Sequence, residues 1–350
     1  MKKNNKIETN EITPEIKVSM KTRVITALVL AAVCVPCVFL GNWFFFALSF
    51  FLTLLISYEL VNVVHMQSKL RFLIMIVTIV LMLSFVYWIV FKNNIKAVID
   101  DFDNFDITTV LSNNFTNLNI SPILLLVAAG AYFFITLVEE EFTVQRACYM
   151  IAMVVVVGLC IQSFLYLRYS PFNVFSNYLT QDGSIPVYDI NTPLFKYFQS
   201  TLLFVYVILG TIVNDIGAYF IGVLFGKHKL NPRISPKKTW EGFAGGCVCS
   251  FIVTAAFAFI MDAVNLPILP NLSLEKWYWV ILISLFMPLI ANLGDFTFSA
   301  IKRSFNIKDF SHVLPGHGGI LDRFDSLLLV SGFVSVMLVF INSGWEAFKF

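Results

Sequence analysis

Apolar runs about twenty residues long recur along most of this chain, and no other feature narrows its fold so far. Each is long enough to cross the ~30 Å hydrocarbon core of a bilayer. Lipid offers no partner to a backbone N–H or C=O, so such segments must be helices that satisfy their own hydrogen bonds. The approximate spans read 23–41, 43–64, 70–91, 121–138, 147–168, 201–226, 242–261, 276–299 and 327–346. The expected fold is therefore all-α, a polytopic integral membrane bundle of about nine transmembrane helices. Composition agrees: 58% of the 350 residues are hydrophobic, only 13% are charged, and Phe alone occurs 37 times. Those values lie well outside the range of soluble domains.

Charge gives the bundle an orientation. With a cytoplasmic N-terminus, most of the 24 Lys and Arg residues fall on the inner side, and the positive-inside rule favours that arrangement. The C-terminus then lies outside. The formal net charge of +2 says little about partners; the placing of positive charge on one membrane face says more, and no nucleic-acid partner is called for. The expected location is the cell (inner) membrane, with the functional face toward the cytoplasm. Residues 1–22 read as a cytoplasmic tail before a retained first helix, being too long and too lysine-scattered for the n-region of a cleavable signal. Cys34, Cys37, Cys148, Cys160, Cys247 and Cys249 all fall inside spans. Even the CxxC pair lacks a second pair or a nearby His, so these read as small apolar packing residues.

The region 23–200 reads as a transmembrane scaffold interrupted by two outer loops, 92–120 and 169–200, which are rich in Asn, Asp, Ser and Thr or punctuated by Pro. Residues 201–350 differ, because polar and ionisable residues enter the spans and basic loops follow them directly. An ionisable residue inside a membrane costs about 2.5–3.5 kcal/mol on insertion scales unless partnered, so these are functional candidates. Three constellations stand out.

The first is NDIGAYFIGVLFGKHKLNPRISPKKTWEG, residues 214–242. Asn214 and Asp215 lie mid-span, and Ala218, Gly222 and Gly226 follow Asp215 at i+3, i+7 and i+11, a narrow face that a helix or a ligand can approach. The basic loop after it reads either as a topological anchor or as a phosphate cradle, in which Ser235, Lys237, Lys238 and Thr239 offer charge and hydroxyl donors. Glu241 orders that loop or starts the next helix. The second constellation is ANLGDFTFSAIKR, residues 291–303, whose Asn292, Asp295, Ser299 and Lys302 share one helical face. Oxygen donors on one stripe suit a hard cation such as Mg²⁺. An interhelical hydrogen-bond network around a buried Asp is the other reading.

The third is SAIKRSFNIKDFSHVLPGHGGILDRFDS, residues 299–326. Pro315, Gly316, Gly318 and Gly319 permit close approach of a ligand to main-chain N–H groups. Asp322 and Asp325 follow at the start of the last span, where a helix N-terminus attracts phosphate. Lys302, Arg303, Lys308 and Arg323 bring positive charge; Asp295, Asp309, Asp322 and Asp325 bring negative. Mixed signs at one membrane surface fit a metal-bridged polyphosphate. His312 and His317 stand without a nearby Cys among dominant acids, so they read as hydrogen-bonding groups and not as a zinc site.

In residues 299–325 the chain resembles the signature of the phosphatidate cytidylyltransferases, the CDP-diacylglycerol synthases. The matching positions are Ser299, Lys302-Arg303, Lys308-Asp309, Ser311, Pro315, His317-Gly318-Gly319, Asp322-Arg323 and Asp325. Ser311 stands where glycine is common, within the small-residue pattern. The 214–242 stretch is similar to the family's upstream region, so the resemblance covers about residues 205–345. It implies a multi-spanning enzyme that transfers CMP from CTP to phosphatidic acid, releasing pyrophosphate and CDP-diacylglycerol. It further implies Mg²⁺, in a paired metal centre that can also hold K⁺, and a homodimer. By position, Asp295 and Asp322 match the metal-holding aspartates.

On this reading the lipid phosphate, already ionised near neutral pH, attacks the α-phosphorus, and no Ser-His-Asp arrangement is demanded. Lys302, Arg303, Lys308 and Arg323 neutralise triphosphate and leaving pyrophosphate, while Asn214, Asp215, Ser235, Lys237, Lys238, Thr239, Ser299, Asp309, His317, Gly318, Gly319 and Asp325 line the substrates. Acyl chains stay in the bilayer as the headgroup enters laterally. Two alternatives stand beside it: a CTP-dependent lipid or polyprenol kinase, and an ion-coupled transporter with a site built from Asn214, Asp215, Asn292 and Asp295.

Overall fold

The computed structural model describes residues 14–66, 70–100, 122–182, 193–264 and 266–343. Among them the chain forms α1 (Pro14–Leu40), α2 (Asn42–Val63), α3 (Arg71–Asp100), α4 (Pro122–Val138), α5 (Val144–Asp182) and α6 (Pro193–Phe225). A hairpin of β1 (Lys229–Asn231) and β2 (Ser235–Thr239) follows, then α7 (Trp240–Ala263), α8 (Trp277–Ser304) and α9 (Leu321–Ser343). Every apolar run read from the sequence is a helix. Seven described stretches, in α1, α2, α5, α6, α7, α8 and α9, are long and apolar enough to cross a membrane. The apolar stretches Arg71–Tyr87 and Pro122–Val138, of α3 and α4, are shorter. Much of the N-terminal tail 1–22 and of the loops 92–120 and 169–200 lies outside the described residues.

Hydrocarbon around the bundle accounts for its apolar exterior. Val24, Leu28, Val29 and Val33 of α1 are each more than half exposed, as are Leu126 and Leu137 of α4. Without a hydrophobic force to join helices in lipid, small residues and hydroxyls must do so. The α6–α7 pair is the clearest case: a Cβ added at Gly246 would sit 2.6 Å from the Asn214 carbonyl, and one at Gly242 2.7 Å from the Ala218 carbonyl. The narrow face of α6 is therefore met by another helix. Ser250 Oγ donates to the Gly210 carbonyl at 2.8 Å, and Tyr206 bonds Ser284 of α8 at 2.7 Å. In the first half, Ser49 bonds Tyr87 and Thr78 bonds Tyr132, each at 2.8 Å. Buried Arg168 of α5 donates from Nε to the Val38 carbonyl near the end of α1 at 2.9 Å.

At the site end local chemistry sets the boundaries; elsewhere α3, α5 and α6 run past the spans read from the sequence, to Asp100, to Asp182 and from Pro193, so parts of the stretches read as outer loops are helical. The basic loop closes into a small antiparallel hairpin, pairing Lys229 with Thr239 and Asn231 with Ser235. Asn231 Oδ1 accepts from Ile234 N at 3.4 Å across the turn that holds Pro232. α7 begins where Thr239 Oγ1 accepts from Gly242 N at 3.2 Å, an N-cap of extended geometry. α9 starts at Leu321, six residues before the apolar run, because carboxylates satisfy the amides at its start and let the polar first turn be helical.

One end of the bundle gathers the first half of α1, the end of α2, the hairpin, the end of α8 and the start of α9. Thr26 Oγ1 of α1 donates to the Pro315 carbonyl at 3.1 Å, and Arg303 of α8 reaches the Ile234 carbonyl at 3.5 Å. Tyr149 of α5 packs on Phe305 with ring centroids 4.6 Å apart.

Candidate active site

The first two constellations become one. Asn292 of α8 donates to Asn214 Oδ1 of α6 at 3.0 Å and to the Pro288 carbonyl at 2.8 Å, and both carboxamides are buried. That bond lies beside Asp215, whose carboxyl feels the charge of Asp295. Ser299 Oγ donates to Asp295 Oδ1 at 3.2 Å, while the Lys238 ammonium contacts Asp295 Oδ2. Lys238 also lies 4.7 Å from the Phe296 ring centroid. A lysine from the hairpin thus returns onto the polar face of α8, an approach the sequence could suggest only as a loose cradle.

The other residues of that cradle divide. Thr239 spends its hydroxyl on the α7 cap, Ser235 is half-buried in the strand pair, and Lys237 is exposed. Glu241 both begins α7 and orders the loop: its carboxylate accepts from Lys227 N at 3.1 Å and His228 N at 3.2 Å, and bonds His228 Nδ1 at 2.6 Å.

The glycine-rich stretch is built by two carboxylates. Asp322 is nearly enclosed, its side chain 4% exposed; Oδ1 pairs with Lys302 Nζ at 2.6 Å, and Oδ2 accepts from Phe310 N at 2.8 Å and Gly319 N at 2.9 Å. Lys302 also sits 5.4 Å from the Phe310 ring centroid. Glu59 of α2, fully buried, accepts from Ser311 Oγ at 2.6 Å and from Ile320 N and Leu321 N at 2.7 Å each. Gly316 and Gly318 adopt φ of 75° and 87°, the left-handed region that glycine enters without strain. Gly319 answers a different need, since a Cβ there would lie 2.8 Å from Glu59 Oε1.

One expectation is thereby corrected. The amides of Gly319, Ile320 and Leu321 were candidates for holding a phosphate at the start of α9, yet each already donates to Asp322 or Glu59. The chain itself supplies the anions that the helix N-terminus attracts.

Arg323 holds the His317 carbonyl from Nε at 3.0 Å and Nη2 at 2.6 Å, and Arg303 holds the Ile307 carbonyl from Nη1 at 3.1 Å. Both are exposed, and each spends only part of its five-donor fork. Lys308 and His312 are exposed; Asp309 is half-buried against Gly318. His317 Nδ1 is enclosed without a hydrogen-bond partner. Asp325 is nearly buried, with Oδ1 on Ser326 N at 2.7 Å, and it feels the charges of Asp295, Lys302 and Asp215. Its backbone is packed on α8 at Gly294, where a Cβ would meet the Asp325 carbonyl at 2.9 Å.

The result is an array of four carboxylates, Asp215, Asp295, Asp322 and Asp325, joined through Lys238 and Lys302, with the exposed cations Arg303, Lys308 and Arg323 on the same segments as Lys302 and Asp322. Among the described residues no three His, Cys, Asp or Glu side chains form a ready metal-binding group. An Mg²⁺ site of the usual kind takes one or two carboxylates and completes its shell with water and substrate phosphates, which this donor set fits. Glu59 is a residue of this cluster that sequence reasoning missed. Its signal was present: it is the one charged residue in the α2 stretch Asn42–Val63.

Comparison with known proteins agrees in extent and in kind. The profile of the cytidylyltransferase family matches residues 21–341. The phosphatidate cytidylyltransferase of Staphylococcus haemolyticus (strain JCSC1435) is 41% identical over 150 residues, 41% of this chain and 54% of that protein. That of Bacillus subtilis (strain 168) is 33% identical over 206 residues, 59% of this chain and 63% of that protein. That of Staphylococcus aureus (strain COL) is 44% identical over 128 residues, 36% of this chain and 45% of that protein. The chain spans about half the length of the curated relatives it matches. With the match running over residues 21–341, from α1 into α9, the chain belongs to the cytidylyltransferase family.

Proposed function

We propose that this protein is a phosphatidate cytidylyltransferase, a nucleotidyltransferase that moves CMP from CTP to phosphatidic acid for phospholipid biosynthesis. A phosphate oxygen of the lipid forms a bond to the α-phosphorus of CTP, the bond to the β-phosphate's bridging oxygen breaks, and pyrophosphate leaves. The observation that carries the reading is the array itself: four aspartates and two lysines interleaved at one end of α6, α8 and α9, in a membrane-spanning member of this family.

The chemistry needs little beyond charge control. Nucleophile and nucleotide are both polyanions, so their repulsion is the first barrier, and preorganised cations lower it most where negative charge grows on the leaving group. Arg303, Lys308 and Arg323 are the exposed cations; Lys238 and Lys302, seated on Asp295 and Asp322, are placed in advance and cost no reorganisation at the moment of reaction. Asp295 and Asp322 are the proposed holders of Mg²⁺, with Asp215 and Asp325 adding negative charge beside Asp295. When bound, the metal supplies charge neutralisation at the nucleotide phosphates. K⁺ in a paired centre and assembly as a homodimer belong to the same proposal. The site end of the bundle faces the cytoplasm, supported by its basic segments 227–238 and 302–323. Bacterial relatives support the cell (inner) membrane as its location.

The test is one product analysis. Full-length protein in detergent with CTP, phosphatidic acid and Mg²⁺ is expected to yield CDP-diacylglycerol and pyrophosphate in equal amounts. Release of CDP with no pyrophosphate would instead make it a CTP-dependent kinase, and no turnover would sink the reading.

A further inference from the structure

Glu59 poses the question most sharply. It is a buried carboxylate in α2, far along the sequence from the signature residues, yet every hydrogen bond it makes goes to them. Nothing in α2's own packing requires a charge. Ser49, Thr53 and Ser57 of the same helix satisfy their hydroxyls on α2's own carbonyls, at 2.8, 2.8 and 2.7 Å. An uncompensated carboxylate in a bundle core would be costly, and this one is compensated entirely from the 311–321 segment.

We propose that Glu59 is a positioning residue for cytidylyl transfer: from α2 it clamps the Ser311–Leu321 loop and thereby fixes Asp322 and Lys302 at the reaction centre. The clamp has three points, one hydroxyl and two consecutive amides, shared across both carboxylate oxygens. Asp322 then takes the preceding amide, Gly319 N, so four groups from Ser311 to Leu321 close on two acids from different helices. The glycine at 319 is the counterpart, since its missing side chain is what admits Glu59 to the backbone. Misplacing a reacting or neutralising group by about 1 Å costs on the order of 10²-fold in rate. A loop freed from Glu59 would let Asp322, and with it Lys302, drift by such an amount.

The inference rests on the transferase reading, but one of its tests does not. In Glu59→Gln the amide nitrogen replaces an acceptor facing a donor at one or other oxygen, so at least one of the three bonds is lost in a side chain of the same size. The expected result is faster backbone hydrogen exchange confined to peptides covering 311–322, with the other helices unchanged, and kcat about 10²-fold lower at nearly constant KM for CTP and phosphatidic acid. Ser57→Ala, a change in α2 at a hydroxyl that bonds the Thr53 carbonyl of the same helix, should leave exchange and kcat as in the parent. Wild-type exchange at 311–322 in Glu59→Gln overturns the proposal. So does faster exchange with undiminished kcat, which would make Glu59 structural alone. Should Glu59→Gln not accumulate folded, Ser311→Ala removes one of the three bonds and is expected to raise exchange at the same peptides with a several-fold loss of kcat; parental values for both would overturn the inference equally. If the parent makes no CDP-diacylglycerol while exchange responds as described, the function fails and the clamp stands.

Discussion

The Lys302–Asp322 pair offers the sharpest test of the site's electrostatics. Both side chains are largely withdrawn from water, 10% and 4% exposed, at 2.6 Å. Removing one partner of a buried pair leaves an uncompensated charge and costs about 3–5 kcal/mol. For Lys302→Met the low end applies, about 3 kcal/mol, because Asp322 keeps two amide donors on its other oxygen. For Asp322→Asn two orientations compete. With the carboxamide oxygen toward Lys302, the NH₂ meets the Phe310 and Gly319 amides and two bonds are lost; with it turned away, the NH₂ faces an ammonium. The second keeps the loop bonds and strands Lys302, so about 3 kcal/mol is again expected. In the double variant the stranded charge no longer exists, and the total should fall short of the sum by about 2 kcal/mol. Reversible unfolding in mixed micelles reads the cycle, and CDP-diacylglycerol formation is followed in parallel. Asp322→Asn is expected to be folded and without turnover. Additivity within about 0.5 kcal/mol would refute the buried-pair argument, and wild-type turnover in Asp322→Asn would refute its role in the reaction.

Lys238→Ala should raise the KM for CTP about tenfold while changing stability by under about 1 kcal/mol, since the Lys238–Asp295 pair is partly exposed at 27% and 29%; unchanged steady-state kinetics would detach the hairpin from the site. Gly246→Val should separate α6 from α7, because its Cβ would stand 2.6 Å from the Asn214 carbonyl, and break the Asn214–Asn292 bond with loss of activity; full activity in a folded variant would contradict that packing. Glu241→Ala should leave the bundle intact but open the 227–238 hairpin to limited proteolysis, as its carboxylate holds Lys227 N, His228 N and His228 Nδ1. Chelating divalent ions should abolish turnover and added Mg²⁺ restore it, and persistence of the activity after chelation would remove the metal from the proposal.

The helices were legible because lipid leaves the backbone one solution, and hydropathy alone marks where it applies. Their ends were less so. Hydropathy alone starts the last span at the apolar run; the acids Asp322 and Asp325 marked the start better, and the helix begins where acids meet its amides, at Leu321. Spacing along one helix located the Asp295–Ser299 contact correctly as a shared face. It could not tell that Asn292 would find Asn214, 78 positions away, since that depends on how closely the glycines let α6, α7 and α8 pack. Nor could it assign the glycines of 316–319 separately: two serve positive φ, and one makes room for a carboxylate from another helix.

That last difference changes the physics of phosphate recognition on the proposed reading. A glycine-rich turn at a helix start ordinarily offers its amides to a ligand, with the helix dipole behind them. Here Glu59 and Asp322 fill the amides of residues 319–321, which neutralises the dipole locally and leaves a rigid platform carrying negative charge. A triphosphate approaching that platform is repelled by backbone and acids alike unless cations intervene. The platform therefore makes sense only with the lysines seated in it and the exposed arginines of the same segments, each anchored to a carbonyl or carboxylate that fixes where its charge lies. On the proposed reading the acids hold these cations in register, and the substrate binds to the cations.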